Sequence, residues 1–156
     1  MVKQKVYLET TMFNYYFDTH KEANPATIKF FEAINSGQFE AYTSIYAVEE
    51  LENAPEPKRS NMLNLISKYN ILVLPGSNEA LNLAKKYISS GIIPEKKLID
   101  ALQIAIASLH GISMILSFNF SHINKVKTKI MVPAVNQIEG FQNIIITQPQ
   151  EVIDYE

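Results

Sequence analysis

Short apolar runs alternate along the chain with longer segments of helical periodicity. Runs with the composition of strands occupy residues 5–9, 39–43, 71–74, 113–117 and 144–147. Helical spacing, capping residues and Gly or Pro stops mark residues 10–18, 24–35, 44–53, 58–69, 78–89 and 95–110. Strands with so few polar residues are typical of a parallel sheet covered by helices on both faces. The pattern predicts an α/β fold, a three-layer α/β/α sandwich with a central, mainly parallel sheet.

The same pattern sets the expected boundaries of the fold. Thr10 or Thr11 is expected to cap the first helix. Residues 119–129 are expected to form a polar loop that leads into a helix. No repeat or flexible linker interrupts the chain, so we expect one domain over residues 1–150 and a short tail over residues 151–156.

Composition narrows the classes of protein to consider. The 156 residues are 47% hydrophobic, which is enough for one buried core. The chain has no cysteine, so any bound metal must use oxygen or histidine ligands. The first residues lack the apolar stretch of a secretory signal, and no apolar run approaches the ~20 residues of a membrane span. We therefore expect a cytoplasmic protein that does not enter a membrane.

The charge balance and the missing motifs exclude further classes. A net charge of −2 is unlike the basic excess of proteins dedicated to duplex DNA, although it permits an enzyme that grips a short RNA segment. The sequence contains no dinucleotide-binding glycine motif, no phosphate-binding P-loop and no Gly-x-Ser-x-Gly elbow. Nucleotide cofactors and α/β-hydrolase chemistry therefore have no support.

Acidic and polar residues gather where the predicted strands end. In open parallel sheets, sites form beyond the carboxyl ends of the strands. Glu9 ends the first strand, Glu50 lies on the helix after the second, and Asn119 follows the fourth. Asp100 lies near the start of the helix that leads into the fourth strand. We therefore expect these side chains to lie together at one edge of the sheet.

Each of these residues also fits a purely structural role. Between Leu98 and Leu109, Asp100 is the only charged residue in a helix that is apolar on nearly every side, so its buried carboxylate needs a partner. An acid in a first turn also favours the helix dipole. Glu9 fits a solvated strand end, Glu50 a solvated helix face, and Asn119 a turn.

The histidines and the aromatic run are interpreted as structural. His20, His110 and His122 are isolated from one another and show no metal-binding spacing. The aromatic residues 15–17 are interpreted as core or pocket wall rather than as a stacking platform. Neither group adds to the acidic candidates.

Four segments together resemble the PIN-domain family. They begin at Val6 (VYLETTMFN), Thr43 (TSIYAVEEL), Asp100 (DALQIAIA) and Ile115 (ILSFNFSHI). Their order and spacing match the layout of that family across most of the chain, and the third segment followed by the fourth is the most specific part. The resemblance implies a three-layer α/β/α fold and a metal-dependent ribonuclease, in many members the VapC-type toxin of a toxin–antitoxin pair.

The resemblance also implies which residues form the site. The catalytic set combines three acids with one amide: Glu9, Glu50, Asp100 and Asn119. Within this set, Glu9, Asp100 and Asn119 are the implied ligands of Mg²⁺ or Mn²⁺, and Thr10 and Ser117 are the implied supporting hydroxyls. Clustered acids would repel RNA unless a cation were bound, so activity is expected to depend strictly on metal.

Two departures from the family pattern leave alternatives open. Glu9 stands where the family usually has Asp, so its carboxylate extends about one ångström further, and Mg²⁺ demands near-octahedral geometry. Asn119 keeps an oxygen but lacks the charge of the Asp often found there. One alternative is a PIN-like domain that has lost catalysis and acts as a binding or regulatory protein. Another is a structural α/β protein whose acids are merely solvated.

The resemblance further implies partners. We expect an RNA substrate, an antitoxin protein and a homodimer. The surplus of aromatic residues over positions 13–17 also favours a homodimer.

Overall fold

Within residues 3–153, the part of the chain that the computed structural model describes, five strands form one central sheet. They are β1 (Gln4–Leu8), β2 (Phe39–Ser44), β3 (Leu72–Leu74), β4 (Met114–Leu116) and β5 (Ile145–Thr147). The strand order is β3-β2-β1-β4-β5, and every neighbouring pair is parallel. Each strand agrees with its prediction to within one residue at either end.

Seven α-helices cover the two faces of the sheet in the described part of the chain. They are α1 (Thr10–Phe17), α2 (Asn24–Asn35), α3 (Ile45–Glu52), α4 (Lys58–Lys68), α5 (Asn78–Ser89), α6 (Leu98–Leu109) and α7 (Val126–Glu139). The helices α5, α6 and α7 share one hydrophobic core with the sheet, and α1, α2 and α4 share the other. The predicted three-layer α/β/α sandwich is confirmed.

The alternating side chains of β1 explain why both faces of the sheet are apolar. Val6 and Leu8 lie in the core shared with α1, α2 and α4, whereas Tyr7 lies in the core shared with α5 and α6. All three are fully buried. This is the pattern of a central strand covered by helices on both sides.

The order of the strands reverses beside β1. The chain runs from β1 outwards to β2 and β3 on one side, and then crosses to β4 and β5 on the other. A crevice opens at such a switch point, beyond the carboxyl ends of the two central strands. Glu9 directly follows β1, and its N–H donates to the carbonyl of Leu116 at the end of β4, at 3.1 Å. The topology therefore brings the ends of the first and fourth strands side by side.

The first helix is capped by a residue other than the two predicted. Thr10 and Thr11 both lie inside α1, and its N-cap is Glu9. The Glu9 carboxylate accepts a hydrogen bond from the backbone N–H of Thr11 at 3.2 Å. A side-chain oxygen that satisfies one of the free N–H groups of the first turn caps a helix, which explains how a glutamate can take this place.

Two helices differ from their predicted extents. The segment predicted as one helix over 95–110 begins as a 3₁₀ turn, Glu95–Lys97, before α6 starts. The helix α7 continues to Glu139, whereas the sequence predicts no element between residue 129 and the strand over 144–147. It contains Pro133, which cannot donate a backbone hydrogen bond. Packing of the fully buried Val132 supports the helix across that position.

Residues 151–153 of the predicted tail pack against the core. The 3₁₀ turn Pro149–Glu151 contacts α2, and Val152 and Ile153 pack on the same core. Residues 1–2 and 154–156 lie outside the described part of the chain, so the single-domain boundaries stay a prediction. No helix within residues 3–153 is long and apolar enough to cross a bilayer.

Candidate acidic active site

Glu9 is buried at the end of β1 and held by three hydrogen bonds. Its side chain is 2% exposed. Its Oε1 accepts from the N–H of Thr11 (3.2 Å), from the hydroxyl of Thr11 (2.5 Å) and from the hydroxyl of Ser117 (2.7 Å). Burial raises the pKa of Glu9 to about 7, although the bonds from Thr11 and Ser117 act in the opposite direction. This carboxylate is therefore fixed at the switch point by groups from α1 and from the end of β4.

Glu50, on α3, is oriented by two neutral donors. The hydroxyl of Thr10 donates to its Oε1 at 2.6 Å, and the amide of Gln103 donates to the same oxygen at 3.0 Å. The Gln103 amide also donates to the Thr10 hydroxyl at 3.0 Å. Burial raises the pKa of Glu50, and the charge of Asp100 raises it further, while the bonds from Thr10 and Gln103 lower it.

Gln103 is a site residue that the sequence analysis missed. It is fully buried on α6, and its Oε1 accepts from the hydroxyl of Tyr7 at 2.9 Å. The Tyr7 hydroxyl also bonds the hydroxyl of Ser44 at 2.7 Å. The spacing of Gln103 from Asp100 could have indicated this residue from the sequence, because residues three apart lie on the same side of a helix. A polar side chain there in an apolar helix marks the side of α6 that faces the acids.

Asp100 lies against the loop that follows β4. It is 7% exposed, and burial raises its pKa. The side chain of Asn119 hydrogen-bonds to it and lowers that pKa, as do the charges of His122 and Lys97. Asn119 is itself positioned by two bonds, since its Oδ1 accepts from the N–H of His122 and its own N–H donates to the hydroxyl of Ser117. His122, interpreted as isolated, therefore lies beside the candidate site.

Each of the six residues predicted for the site is hydrogen-bonded to another of the six. These are Glu9, Thr10, Glu50, Asp100, Ser117 and Asn119. The hydroxyl of Ser117 binds Glu9, the hydroxyl of Thr10 binds Glu50, and the amide of Asn119 reaches Asp100. Residues that are far apart in sequence thus come together at the switch point. Their catalytic roles stay a prediction.

The three carboxylates interact electrostatically but do not form a closed metal cage. The charge of Asp100 raises the pKa of both Glu9 and Glu50. Within residues 3–153, no three Asp, Glu, His or Cys side chains are arranged to hold one metal ion. Mg²⁺ is commonly bound through one or two carboxylates, with water completing its shell. The hard oxygen donors here fit such a hydrated ion and do not fit a three-carboxylate cage.

A second buried polar cluster lies among α5, α6 and α7. The hydroxyl of Tyr87 donates to Oδ1 of Asn136 at 2.5 Å, and the amide of Asn136 donates to the hydroxyl of Ser108 at 2.9 Å. All three side chains are buried. These bonds involve no carboxylate, so the cluster is neutral.

Comparison with known proteins decides the family. The PIN domain model matches residues 6–129, a stretch that contains β2 to β4, the last three residues of β1 and every predicted site residue. The chain belongs to the PIN domain family. No curated protein sequence matches this PIN domain.

The solved structures that are similar to this PIN domain include the following two. One is VapC20 from Mycobacterium tuberculosis, a toxin that cleaves the sarcin-ricin loop, with a TM-score of 0.54 and 10% identity over 75% of this chain and 92% of that chain. The other is VapBC2 from Rickettsia felis, bound to a DNA fragment from their promoter, with a TM-score of 0.59 and 14% identity over 92% of this chain and 97% of that chain. At such low identities the similarity shows a shared fold.

Proposed function

We propose that this PIN domain is a metal-dependent endoribonuclease that hydrolyses phosphodiester bonds in RNA. The observation that carries the proposal is the group of three acids at the switch point, each with a raised pKa. Among residues 3–153, the ion pairs are Arg59–Glu56 and Lys86–Glu139, and neither involves these acids. Buried or half-buried acids without a paired cation are costly in a structural role but suit a site that binds one.

The donor set fits Mg²⁺ or Mn²⁺, and we assign Glu9, Asp100 and Asn119 as its ligands. All three supply the hard oxygens that these ions prefer. A divalent cation bound there lowers the pKa of a water molecule and stabilises negative charge on the phosphate.

Other residues of the chain act on the attacking water, on the RNA phosphate and on the position of Glu9. Glu50 is placed to accept a proton from the attacking water, because Thr10 and Gln103 orient its carboxylate and its pKa is raised. Lys97 lies close enough to influence both Glu50 and Asp100, so its charge is available to an RNA phosphate. Ser117 holds Glu9 in place from the end of β4.

We propose that the protein uses this ribonuclease activity as a toxin. The similar VapC20 is a toxin, and its fold covers three quarters of this chain. We accordingly propose that this protein is the toxin of a toxin–antitoxin pair, acting in the cytoplasm with an antitoxin protein as its partner. A neighbouring open reading frame whose small product co-purifies with the chain would support this, and a chain encoded without such a partner would contradict it.

A homodimer is also proposed, through a surface other than the aromatic run. Of the aromatic residues over positions 13–17, only Phe17 is exposed, so that run is largely used inside the fold. Exposed aliphatic side chains lie instead along α7, at Val126, Ile130 and Ile138. Light scattering at high micromolar concentration should give twice the chain mass of 17.7 kDa. A monomer under those conditions would contradict the dimer.

Cleavage of single-stranded RNA by the wild type and by Asp100→Asn tests the nuclease proposal. The wild type should cut with Mg²⁺ or Mn²⁺ and stop in EDTA. Asp100→Asn keeps the shape of the side chain but removes its charge, so we expect cleavage to fall by at least about 100-fold, the upper range for loss of a ligand's supporting group. Its melting temperature should not fall, which separates this loss from unfolding.

Metal titration by calorimetry, together with the cleavage assay, can contradict the nuclease proposal. If the wild type neither cuts RNA with either ion nor binds metal at millimolar concentration, the nuclease proposal fails. A PIN domain that acts as a binding or regulatory protein would then take its place.

A further inference from the structure

An open cleft with aromatic walls lies next to the acidic site. It has a volume of about 340 Å³. The lining residues that matter here are Tyr15, Lys21, Phe118, Phe120, Gln148 and Gln150. They come from α1, from the segment after it, from the loop after β4 and from the segment after β5.

The aromatic wall consists of two stacked rings and a third ring that is exposed to solvent. The rings of Tyr15 and Phe118 stack in parallel, with centroids 3.9 Å apart and planes 5° apart. Phe120 packs its edge on Phe118, with centroids 6.3 Å apart. Phe118 is buried, whereas Phe120 is 51% exposed. The open ring of Phe120 is therefore presented from a packed aromatic support.

The aromatic wall is connected to the candidate acids in two ways. Asn119, whose side chain hydrogen-bonds to Asp100, stands between the two phenylalanines in the chain. The N–H of Phe118 donates to the hydroxyl of Thr11 at 2.8 Å, and that hydroxyl donates to Glu9. A group bound in the cleft would therefore neighbour a group bound at the acids.

Apart from the carboxylate of Glu22, the polar lining of the cleft matches a nucleotide. Gln148 and Gln150 carry amides that can both donate to and accept from the edge of a base. The Nζ of Lys21 lies 5.5 Å from the centre of the Tyr15 ring, where its charge is available to a phosphate. An exposed aromatic ring can stack on any base.

We propose that this cleft binds one unpaired base of single-stranded RNA, stacked on Phe120, beside the nucleotide that is cleaved. The inference rests on the proposed ribonuclease function and adds a subsite that selects unpaired RNA. Bases of single strands are commonly recognised by aromatic stacking together with hydrogen bonds to their edges. A volume of about 340 Å³ is at the small end of ligand sites and suits one such group.

A tryptophan reporter tests the stacking directly. The chain contains no tryptophan, so Phe120→Trp introduces a single fluorophore. In an Asp100→Asn background, where cleavage is expected to be very slow, a single-stranded RNA decamer should cause a saturable fall in fluorescence. An abasic decamer of the same charge and a duplex of the same sequence should cause none. Leu72→Trp, at a position of β3 that is as exposed as Phe120 and lies outside the cleft lining, is the matched control and should stay unchanged.

Affinity measurements by fluorescence anisotropy test the same subsite in the absence of a reporter. Phe120→Ala should weaken binding of the single-stranded decamer by roughly 5- to 150-fold, the range for loss of one stacked base, and leave the salt dependence unchanged. Lys21→Gln should instead reduce the slope of log affinity against log salt by about one. Circular dichroism should show an unchanged fold for both, because Phe120 and Lys21 are exposed.

The outcomes separate this inference from the nuclease proposal. Equal quenching by abasic or duplex RNA, or unchanged affinity in Phe120→Ala, overturns the base subsite even if the wild type cuts RNA. Base-dependent quenching supports the subsite even if the wild type never cuts, and only the nuclease proposal then fails. If Phe120→Ala keeps its affinity for RNA but loses a co-purifying protein, the cleft is a protein-docking site and the inference is wrong.

Discussion

Two buried polar clusters in this PIN domain use the same kinds of hydrogen bond but differ in charge. Tyr87, Ser108 and Asn136 bond to one another between α5, α6 and α7, and all are neutral. The cluster at the switch point also contains hydroxyls and an amide, but its bonds end on Glu9 and Glu50. The pKa of each of these two acids is raised by burial.

The difference teaches that a buried polar group does not by itself mark a functional site. A neutral cluster whose donors all find acceptors is a stable way to fill a core. Within residues 3–153, no fully buried side-chain nitrogen or oxygen lacks a partner, so both clusters meet that condition. Only the acidic cluster holds groups whose ionised form is disfavoured by the fold. Substitutions in the two clusters should therefore affect different properties of the protein.

The largest effect expected from this comparison is on stability, in Glu9→Gln. The pKa of Glu9 is about 7 in the folded protein, above its ordinary value, so the folded state keeps a proton that the unfolded state releases. Stability is therefore lost as the pH rises towards 7, by roughly 3 kcal/mol at 1.36 kcal/mol per pKa unit. Glutamine cannot ionise, so the variant should lack this loss.

Urea unfolding in EDTA measures this effect. At pH 8, Glu9→Gln should be more stable than the wild type by roughly 3 kcal/mol, and at pH 4 the difference should be much smaller. A difference of the same size at both pH values would show that Glu9 does not titrate in this way.

In the neutral cluster, Asn136→Ala should lower the stability of the protein and leave RNA cleavage unchanged. This change removes the Asn136 acceptor of the Tyr87 hydroxyl and the Asn136 donor to the Ser108 hydroxyl, and leaves those two hydroxyls only their longer 3.3 Å bond to each other, so the free energy of unfolding should fall by about 2 kcal/mol. RNA cleavage well below the melting temperature should stay at the wild-type rate. Lost cleavage in a folded Asn136→Ala protein would contradict the separation of the two clusters.

The smallest expected effect, and the sharpest test of the comparison, is that of Gln103→Leu. The side-chain hydrogen bonds of Gln103 involve Tyr7, Thr10 and Glu50 and no predicted ligand of the ion. It therefore acts through Glu50, which it orients and whose pKa it lowers. We expect cleavage to fall about 10-fold, as for other supporting partners of a site. The acid limb of the pH–rate profile should move to higher pH, because Glu50 loses a bond that favours its ionised form. Slower cleavage with an unmoved profile would indicate a structural role alone.

The strands and most helices could be predicted from the sequence because their signals are local. Apolar runs of four or five residues, Gly and Pro stops and helical spacing all act over a few positions. Chain order also placed Glu9 and Asn119 at the ends of their strands, since parallel strands end at the same edge. The extent of α7 could not be predicted this way, because its packing outweighs the local effect of Pro133.

What the sequence by itself determined is the layering of the fold and the acids available at one edge of the sheet. The tertiary structure alone decided which partners those acids have. Gln103 meets Thr10 across 93 positions of the chain, and Ser117 meets Glu9 across 108. The base-binding cleft likewise joins Tyr15 to Phe118. Hydrogen bonds and ring contacts depend on distances of a few ångströms, and a one-dimensional pattern does not contain these distances. Burial depends on the periodicity of apolar residues, and the sequence does contain that periodicity.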